Sequence, residues 1–536
     1  MNLPSVCDFA GVVLIALLLW AYLDWIGVLG PERIKGIPSV PSLPFIGNLH
    51  QVNSNPALTY SRWSQKYGDV FQMRLGTQTV VVANSYDSVK HLWISNSNAN
   101  NSRPVLYTFH RVLSKTQGFT VGTTPWGKDY KNMKKIIATS LNKKSIDSYS
   151  DFISFESRQF FRRINSFILT NLYLGQSCDI DIFKLLQGYV LRVSLFITYG
   201  YLVKVEHDDN CKLFDEVTKV ENKIVRLRGH TSNIQDYLPI LRYFGFNKKS
   251  NLAEDFRQRR DVYMSKFHDD LIQKMKDGNY YKDCIVSKVL RGCSEYPKEI
   301  TDSQLNSICL SMVSAGLDNT PLVLNHILGH LSQPGEHAQT LQEEAFKEIL
   351  KTYGSVEAAF TLCAFDFQVD FITAILKEGL RFFSVLPTSL PRATTGDIIY
   401  KDAIIPSGTI LFMNAFAANH DSHHFENPYI FEPRRYLDKE NRIIDNRKPD
   451  HFTFGVGTRA CAGSHLAWKE MYITIIRFIL LYRILPPEDE KYLMKLDPFE
   501  MNSEPDSVAF EPQIFKFGLL PRNEEVFHKL IILPDE

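Results

Sequence analysis

Residues Phe454-Gly455-Val456-Gly457-Thr458-Arg459-Ala460-Cys461-Ala462-Gly463 set one cysteine in a glycine-rich turn directly ahead of an apolar run of helical character, Leu466 to Leu485. A thiolate held at a helix start is stabilised by the unpaired N–H groups of the first turn and by the positive end of the helix dipole. Gly457 and Gly463 permit backbone angles and close approaches that a side chain would block. Arg459, two residues before the sulfur, is within reach of an anionic group. These are the requirements of a sulfur ligand beneath a flat, carboxylated metal macrocycle. The plainer alternative is a buried, inert thiol, a common fate of cysteine. His465 lies four residues on and suggests a zinc pair, but no further ligands lie nearby in the sequence.

The 536 residues, 44% hydrophobic and 12% aromatic, suffice for a large packed core. Lys and Arg number 60 against 59 Asp and Glu, so no nucleic acid or other polyanion is expected as a partner. The eight cysteines have no paired spacing. That argues against a disulfide framework or a zinc cluster, and for a reducing compartment.

Phe9 to Leu29 is apolar except for Asp24. At about 21 residues it is long enough to span a bilayer. Trp20, Tyr22 and Trp25 suit an interface, and Arg33 and Lys35 follow a segment with no preceding Lys or Arg, which puts the body on the cytosolic side. The alternative, a cleaved signal peptide, lacks its basic start and small-residue cleavage site. Residues 1–30 are thus expected to be a transmembrane anchor. Residues 31–48, with Pro38, Pro41 and Pro44, are expected to be a stiff, extended linker.

Residues 49–536 read as one large domain, mainly α with small β-sheets. Asp69–Arg74 and Thr79–Val82 predict a hairpin at Gly76, and Asp87–Trp93 a helix. Periodicity predicts helices at Lys131–Leu141, Phe152–Thr170, Ile180–Gly200 and Leu252–Lys276. Strand character returns from Arg392 to Phe412, and a last strand pair is expected near Ser507–Leu519, turning around Pro512. Leu305–Leu331 is a long apolar helix carrying Ala315-Gly316-Leu317-Asp318-Asn319-Thr320-Pro321. Pro321 has no N–H for the Leu317 carbonyl, so the helix should widen or kink there and leave a polar notch. A plain kinked core helix is the alternative.

The Cys461 stretch resembles the haem-binding loop of the cytochromes P-450, Phe-x-x-Gly-x-Arg-x-Cys-x-Gly, with Phe454, Gly457, Arg459, Cys461 and Gly463 on its defining positions. Other segments follow the family's order. Glu378-Gly379-Leu380-Arg381 and the later Phe431-Glu432-Pro433-Arg434-Arg435-Tyr436 resemble the segments that supply a buried triad, here Glu378, Arg381 and Arg435. Asn419-His420-Asp421, with Phe425 and Pro428, also fits, and Pro391-Arg392 sits where the family often contacts a haem propionate. The resemblance covers residues 36–520.

It implies a cytochrome P-450 fold and a haem-thiolate monooxygenase with haem b (iron protoporphyrin IX), Cys461 being the axial iron ligand. Electrons would come from a separate NADPH-dependent flavoprotein reductase, since the chain carries no nicotinamide or flavin fingerprint. The implied location is the endoplasmic reticulum membrane, with the catalytic domain facing the cytosol. Dioxygen would bind beside Gly316, with Asp318, Asn319 and Thr320 organising water and protons. Asn319 departs from the family, which has Thr there; an amide also donates and accepts hydrogen bonds. The pattern Trp-x-x-x-Arg is replaced by Tyr130-Lys131-Asn132-Met133-Lys134, so Lys131 and Lys134 would meet propionates as point charges. With Lys128 and Lys135 they form either a docking patch for an acidic electron donor or a solvated helix face.

The stretches Thr108-Phe109-His110, Gln117-Gly118-Phe119-Thr120 and Thr124-Pro125-Trp126 are similar to the fungal phenylacetate hydroxylase group. This implies a small aromatic acid, or a related lipophilic molecule, as substrate. A carboxylate in an apolar pocket needs a cationic or multi-donor partner. Arg103, His110 and Arg111 are candidates; the alternative is that they hold a propionate or face solvent. Two rival functions stay open at this point. One is a same-fold haem isomerase, dehydratase or reductase without net monooxygenation, and the other is a haem-binding membrane protein without turnover.

Overall fold

Thirty residues, Asp302–Leu331, form the central helix of the molecule. The fold is described by a computed structural model over residues 15, 19, 22, 23, 31–52, 55–116, 118–202, 208–229, 233–243, 248–444 and 449–533. Thr301 starts the central helix through a capping box: its hydroxyl accepts the Gln304 N–H while the Gln304 side chain accepts the Thr301 N–H. Apolar residues occur on all sides of the helix, and helices pack around it: Lys128–Ser140, Phe183–Tyr199, Asp370–Phe383 and Ser464–Leu481. It is assigned as α-helix on both sides of Pro321, which is buried within it. Among the described residues it is the one helix long and apolar enough to cross a bilayer, yet 78% of its most apolar window is buried inside the protein. The expected anchor, residues 1–30, lies outside the described residues apart from four helical positions.

Strands β1 (Val70–Leu75) and β2 (Gln78–Ala83) form the hairpin, turning at Gly76 with φ 56°. A Cβ on Gly76 would stand 2.2 Å from the Tyr237 carbonyl oxygen, so the turn needs glycine for both angle and space. β2 pairs in parallel with β6 (Ile410–Met413), and β6 antiparallel with the short β3 (Arg392–Ala393), in the order β1-β2-β6-β3. β4 (Ile398–Tyr400) and β5 (Ala403–Ile405) make a second hairpin. The mainly α fold with small sheets in one large domain is therefore as expected, and the helices at 131, 152, 180 and 252 are all present within a few residues of their predicted ends.

Two expectations are corrected. The run Leu466–Leu485 is a helix only from Ser464 to Leu481; its last four residues become strand β7 (Tyr482–Leu485). The closing strand pair is not Ser507–Leu519 folded at Pro512. Its partners are β7 and β8 (Gly518–Pro521), which meet across 32 intervening residues of sequence, a contact that local patterning cannot announce. Residues 34–48 pack against the sheet. Ile34, Ile37 and Val40 are buried, Gln72 of β1 exchanges hydrogen bonds with Ile34 and Ile37, and Asn48 donates to the Pro41 carbonyl. Apolar residues between the prolines anchor the segment to the sheet.

Candidate active site

The cysteine loop is built from two residues in the left-handed region, Gly455 (φ 61°) and Gly457 (φ 68°). Gly457 abuts the helix before it: a Cβ would lie 2.4 Å from the Trp93 carbonyl oxygen. The Cys461 N–H returns to the Phe454 carbonyl at 2.9 Å, and the helix starts at Ser464 without a side-chain cap. Cys461 carries exposed surface. Burial nevertheless pushes its thiol pKa up, opposed by the Gly463 N–H and the Lys134 charge. Exposure together with desolvation describes a side chain that faces a hollow inside the protein. On the central helix Ala315 is exposed, while Ser314 and Leu317 are buried.

Three arginines gather near this loop without a carboxylate among them. Arg459 donates to the carbonyls of Asn101 (2.6 Å) and Thr124 (2.7 Å) and lies 3.4 Å above the Tyr130 ring. Arg392 donates to the carbonyls of Asn100 and Val456, and Arg103 to those of Gly122, Leu390 and Pro391. Burial and mutual repulsion depress them: Arg392 falls to about 9, Arg459 to about 10 by burial, and Arg103 lies well below its usual range. Nη1 of Arg459 is buried without a hydrogen-bond partner. Uncompensated buried cations are costly unless a ligand brings the counter-charge. A carboxylated macrocycle resting on Cys461 fits this donor set.

A second charge cluster is complete within the protein. Glu378, wholly buried, takes both side-on nitrogens of Arg381 (Nε 2.8 Å, Nη2 2.7 Å) and Nε of Arg435 (3.1 Å). Burial would lower the Arg381 pKa, but the Glu378 hydrogen bonds and charge hold it above the ordinary value. Arg381 also donates to the carbonyls of Asn419 and Pro428, and Asn419 accepts the Phe452 N–H at 2.8 Å. The Thr453 hydroxyl reaches the Leu380 carbonyl at 2.6 Å. The cluster thus ties the Asp370–Phe383 helix to the root of the cysteine loop.

On the central helix, Gly316 turns toward the neighbouring helix, where a Cβ would stand 2.4 Å from the Ser194 hydroxyl. It permits close packing of the two helices there. Asp318 is buried on the packed side. Gln187 donates to its Oδ1 at 3.3 Å, and Oδ2 has no partner. Burial, then the charges of Glu221 and Glu511, push its pKa up to about 7 against the pull of Arg228. Asn319 donates to the Ala315 carbonyl at 3.3 Å, and Thr320 is buried. Gln187 was not foreseeable: nothing in Leu185-Leu186-Gln187-Gly188 distinguishes it from a helix-face amide.

The candidates for a substrate carboxylate do not converge. Arg103 belongs to the arginine cluster, and Arg111 is exposed. His110 is buried, its Nδ1 against Leu106 and its Nε2 3.2 Å from the Thr123 carbonyl, and desolvation lowers its pKa, so it is neutral at pH 7. Of the lysines, Lys134 reaches the Thr458 carbonyl of the cysteine loop, Lys131 lies 5.0 Å over the Trp126 ring, and Lys128 is solvated.

The sequence model of cytochrome P450 matches residues 37–510. This chain belongs to the cytochrome P450 family. Like other members it is a haem b monooxygenase that uses dioxygen and a reductase partner on small substrates. Three relatives are similar over nearly the whole P450 chain. Phenylacetate 2-hydroxylase of Emericella nidulans is 38% identical over 94% of this chain and 94% of its own. 3-Hydroxyphenylacetate 6-hydroxylase of the same organism is 35% identical over 92% of this chain and 90% of its own. A cytochrome P450 monooxygenase of Mycosarcoma maydis is 34% identical over 95% of this chain and 92% of its own.

Proposed function

We propose that this P450 hydroxylates a small aromatic acid of the phenylacetate type. Cys461 would ligate the haem iron, and Arg103, Arg392, Arg459 and Lys134 would hold the two propionates. The observation that carries the cofactor site is three buried guanidiniums with no acid, placed beside an exposed cysteine in a desolvated hollow. The substrate class rests on the likeness to the two Emericella hydroxylases. Electrons come from an NADPH-dependent flavoprotein reductase, at the endoplasmic reticulum membrane, with residues 1–30 as the anchor and the body in the cytosol.

The bound haem supplies the binding and activation of dioxygen. The protein's residues do the rest. Burial raises the Cys461 thiol pKa, so ligation must displace its proton; Lys134 and the Gly463 N–H stabilise the resulting anion. The arginines, held in place by backbone carbonyls, would orient the ring's carboxylates, with Nη1 of Arg459 the donor left without a partner in the protein. Asp318, near half protonation at neutral pH, accepts and releases protons on the packed side of the central helix, and Gln187 holds its Oδ1 in place. Asn319, on the turn that carries exposed Ala315, provides the amide that orders water in the hollow.

Labelled dioxygen tests the reading. Reconstituted with a reductase, the protein should convert phenylacetate to a hydroxyphenylacetate carrying one labelled oxygen. Turnover without label, or haem binding with no phenylacetate-dependent use of reductant, overturns it.

A further inference from the structure

Arg228, the residue after the helix Asp208–Leu227, has no partner for its strongest binding edge. Its Nε and Nη2 are buried and make no hydrogen bond. These two nitrogens form the side-on fork that matches the two oxygens of a carboxylate. The same edge is occupied in three other arginines of this protein. Arg226 grips Glu511 with it (2.9 and 2.5 Å), Arg259 grips Glu216 (2.6 and 2.7 Å), and Arg381 grips Glu378 (2.8 and 2.7 Å). Its guanidinium plane rests on the Phe109 ring at 4.8 Å, inside the segment Tyr107–Leu113 that sequence similarity links to substrate choice.

We propose that Arg228 is the anchor for the carboxylate of the aromatic acid. The inference rests on the aromatic-acid reading above and replaces Arg103, His110 and Arg111 in that role. Neither nearby acid hydrogen-bonds the Arg228 fork, and only Oδ2 of Asp318 is left without a partner. Both oxygens of Glu221 are taken, by the Tyr263 and Ser314 hydroxyls at 2.5 Å each, and Oδ1 of Asp318 by Gln187. Glu221 and Asp318 still favour the charged guanidinium, while burial and Arg260 oppose it. An incoming carboxylate therefore meets a desolvated, unpaired donor pair beside an aromatic ring that suits its own ring.

Equilibrium dialysis of the holoprotein against phenylacetate and its uncharged isostere phenylacetamide tests this. Arg228→Gln should weaken phenylacetate on the order of a hundredfold and phenylacetamide by less than about threefold, with Arg228→Lys between wild type and Gln for the acid. An unchanged haem absorption spectrum in both variants certifies the fold. Equal phenylacetate affinity in wild type and Arg228→Gln overturns the anchor alone. Equal loss of acid and amide also overturns it, because Arg228 then acts through packing. A wild-type protein that binds the amide but not the acid overturns both the anchor and the aromatic-acid reading.

Discussion

Two arginine clusters flank the cysteine loop and solve the problem of buried charge in opposite ways. Arg381 and Arg435 share Glu378 and are neutralised within the chain, partly by backbone carbonyls. Arg103, Arg392 and Arg459 have carbonyls but no acid; burial depresses all three, and Arg459 depresses the other two further. The first cluster is therefore a structural tie that works in the empty protein. The second lacks its anion within the described residues, and in the function proposed above the counter-charge comes with the ligand. Equal burial and equal residue type thus carry different meanings, and the presence of one glutamate separates them.

The contrast can be broken from several sides. The largest effect is expected where both clusters become irrelevant: Cys461→Ser should abolish turnover and the thiolate-type absorption band of the reduced, carbon monoxide-treated protein. Next, Glu378→Gln leaves Arg381 and Arg435 buried without their anion. Urea unfolding of the holoprotein should show a loss of about 3–5 kcal/mol. Removing a charge from the other cluster should have little such effect. Arg459→Gln should leave the stability of the haem-free protein within about 1 kcal/mol, because relief of repulsion offsets weaker carbonyl bonding. Haem transfer to an acceptor protein should nonetheless become on the order of tenfold faster. Haem-free stability that falls as far as in Glu378→Gln would erase the distinction.

Smaller effects sharpen the electrostatic picture on the central helix. The folded pKa of Asp318, about 7, lies above its ordinary 3.8, so the folded state binds the extra proton between those values. Stability attributable to this group is full below about pH 4, falls as pH rises toward 7, and levels off above it. Asp318→Asn should flatten that slope by a few kcal/mol across the window, read by unfolding midpoints from pH 4 to 8. The smallest expected change is Gly316→Ala. Its Cβ meets the rotatable Ser194 hydroxyl, at a cost of about 1 kcal/mol that Ser194→Ala should largely restore.

Much of the site was legible because it is local. The loop from Phe454 to Gly463 and the helix after it are contiguous, and Glu378 and Arg381 are one helical turn apart. Other features failed to show for a common reason. Gln187 is an ordinary helix amide until Asp318 is packed against it, and nothing in the sequence sets Ser194 against Gly316. Arg228 follows a helix whose sequence gives no sign that its fork stays empty while Arg226, two residues earlier, is filled. The β7–β8 pair was misplaced because strand partnership depends on distant segments.

By itself the sequence determined the mainly helical fold, the thiolate loop and the family, since each rests on residues near one another along the chain or on their order. Only the tertiary structure decided which buried charges are matched and which wait for a ligand. Pairing depends on which side chains meet across the core, and a guanidinium reads the same in sequence whether a carboxylate faces it or a hollow does.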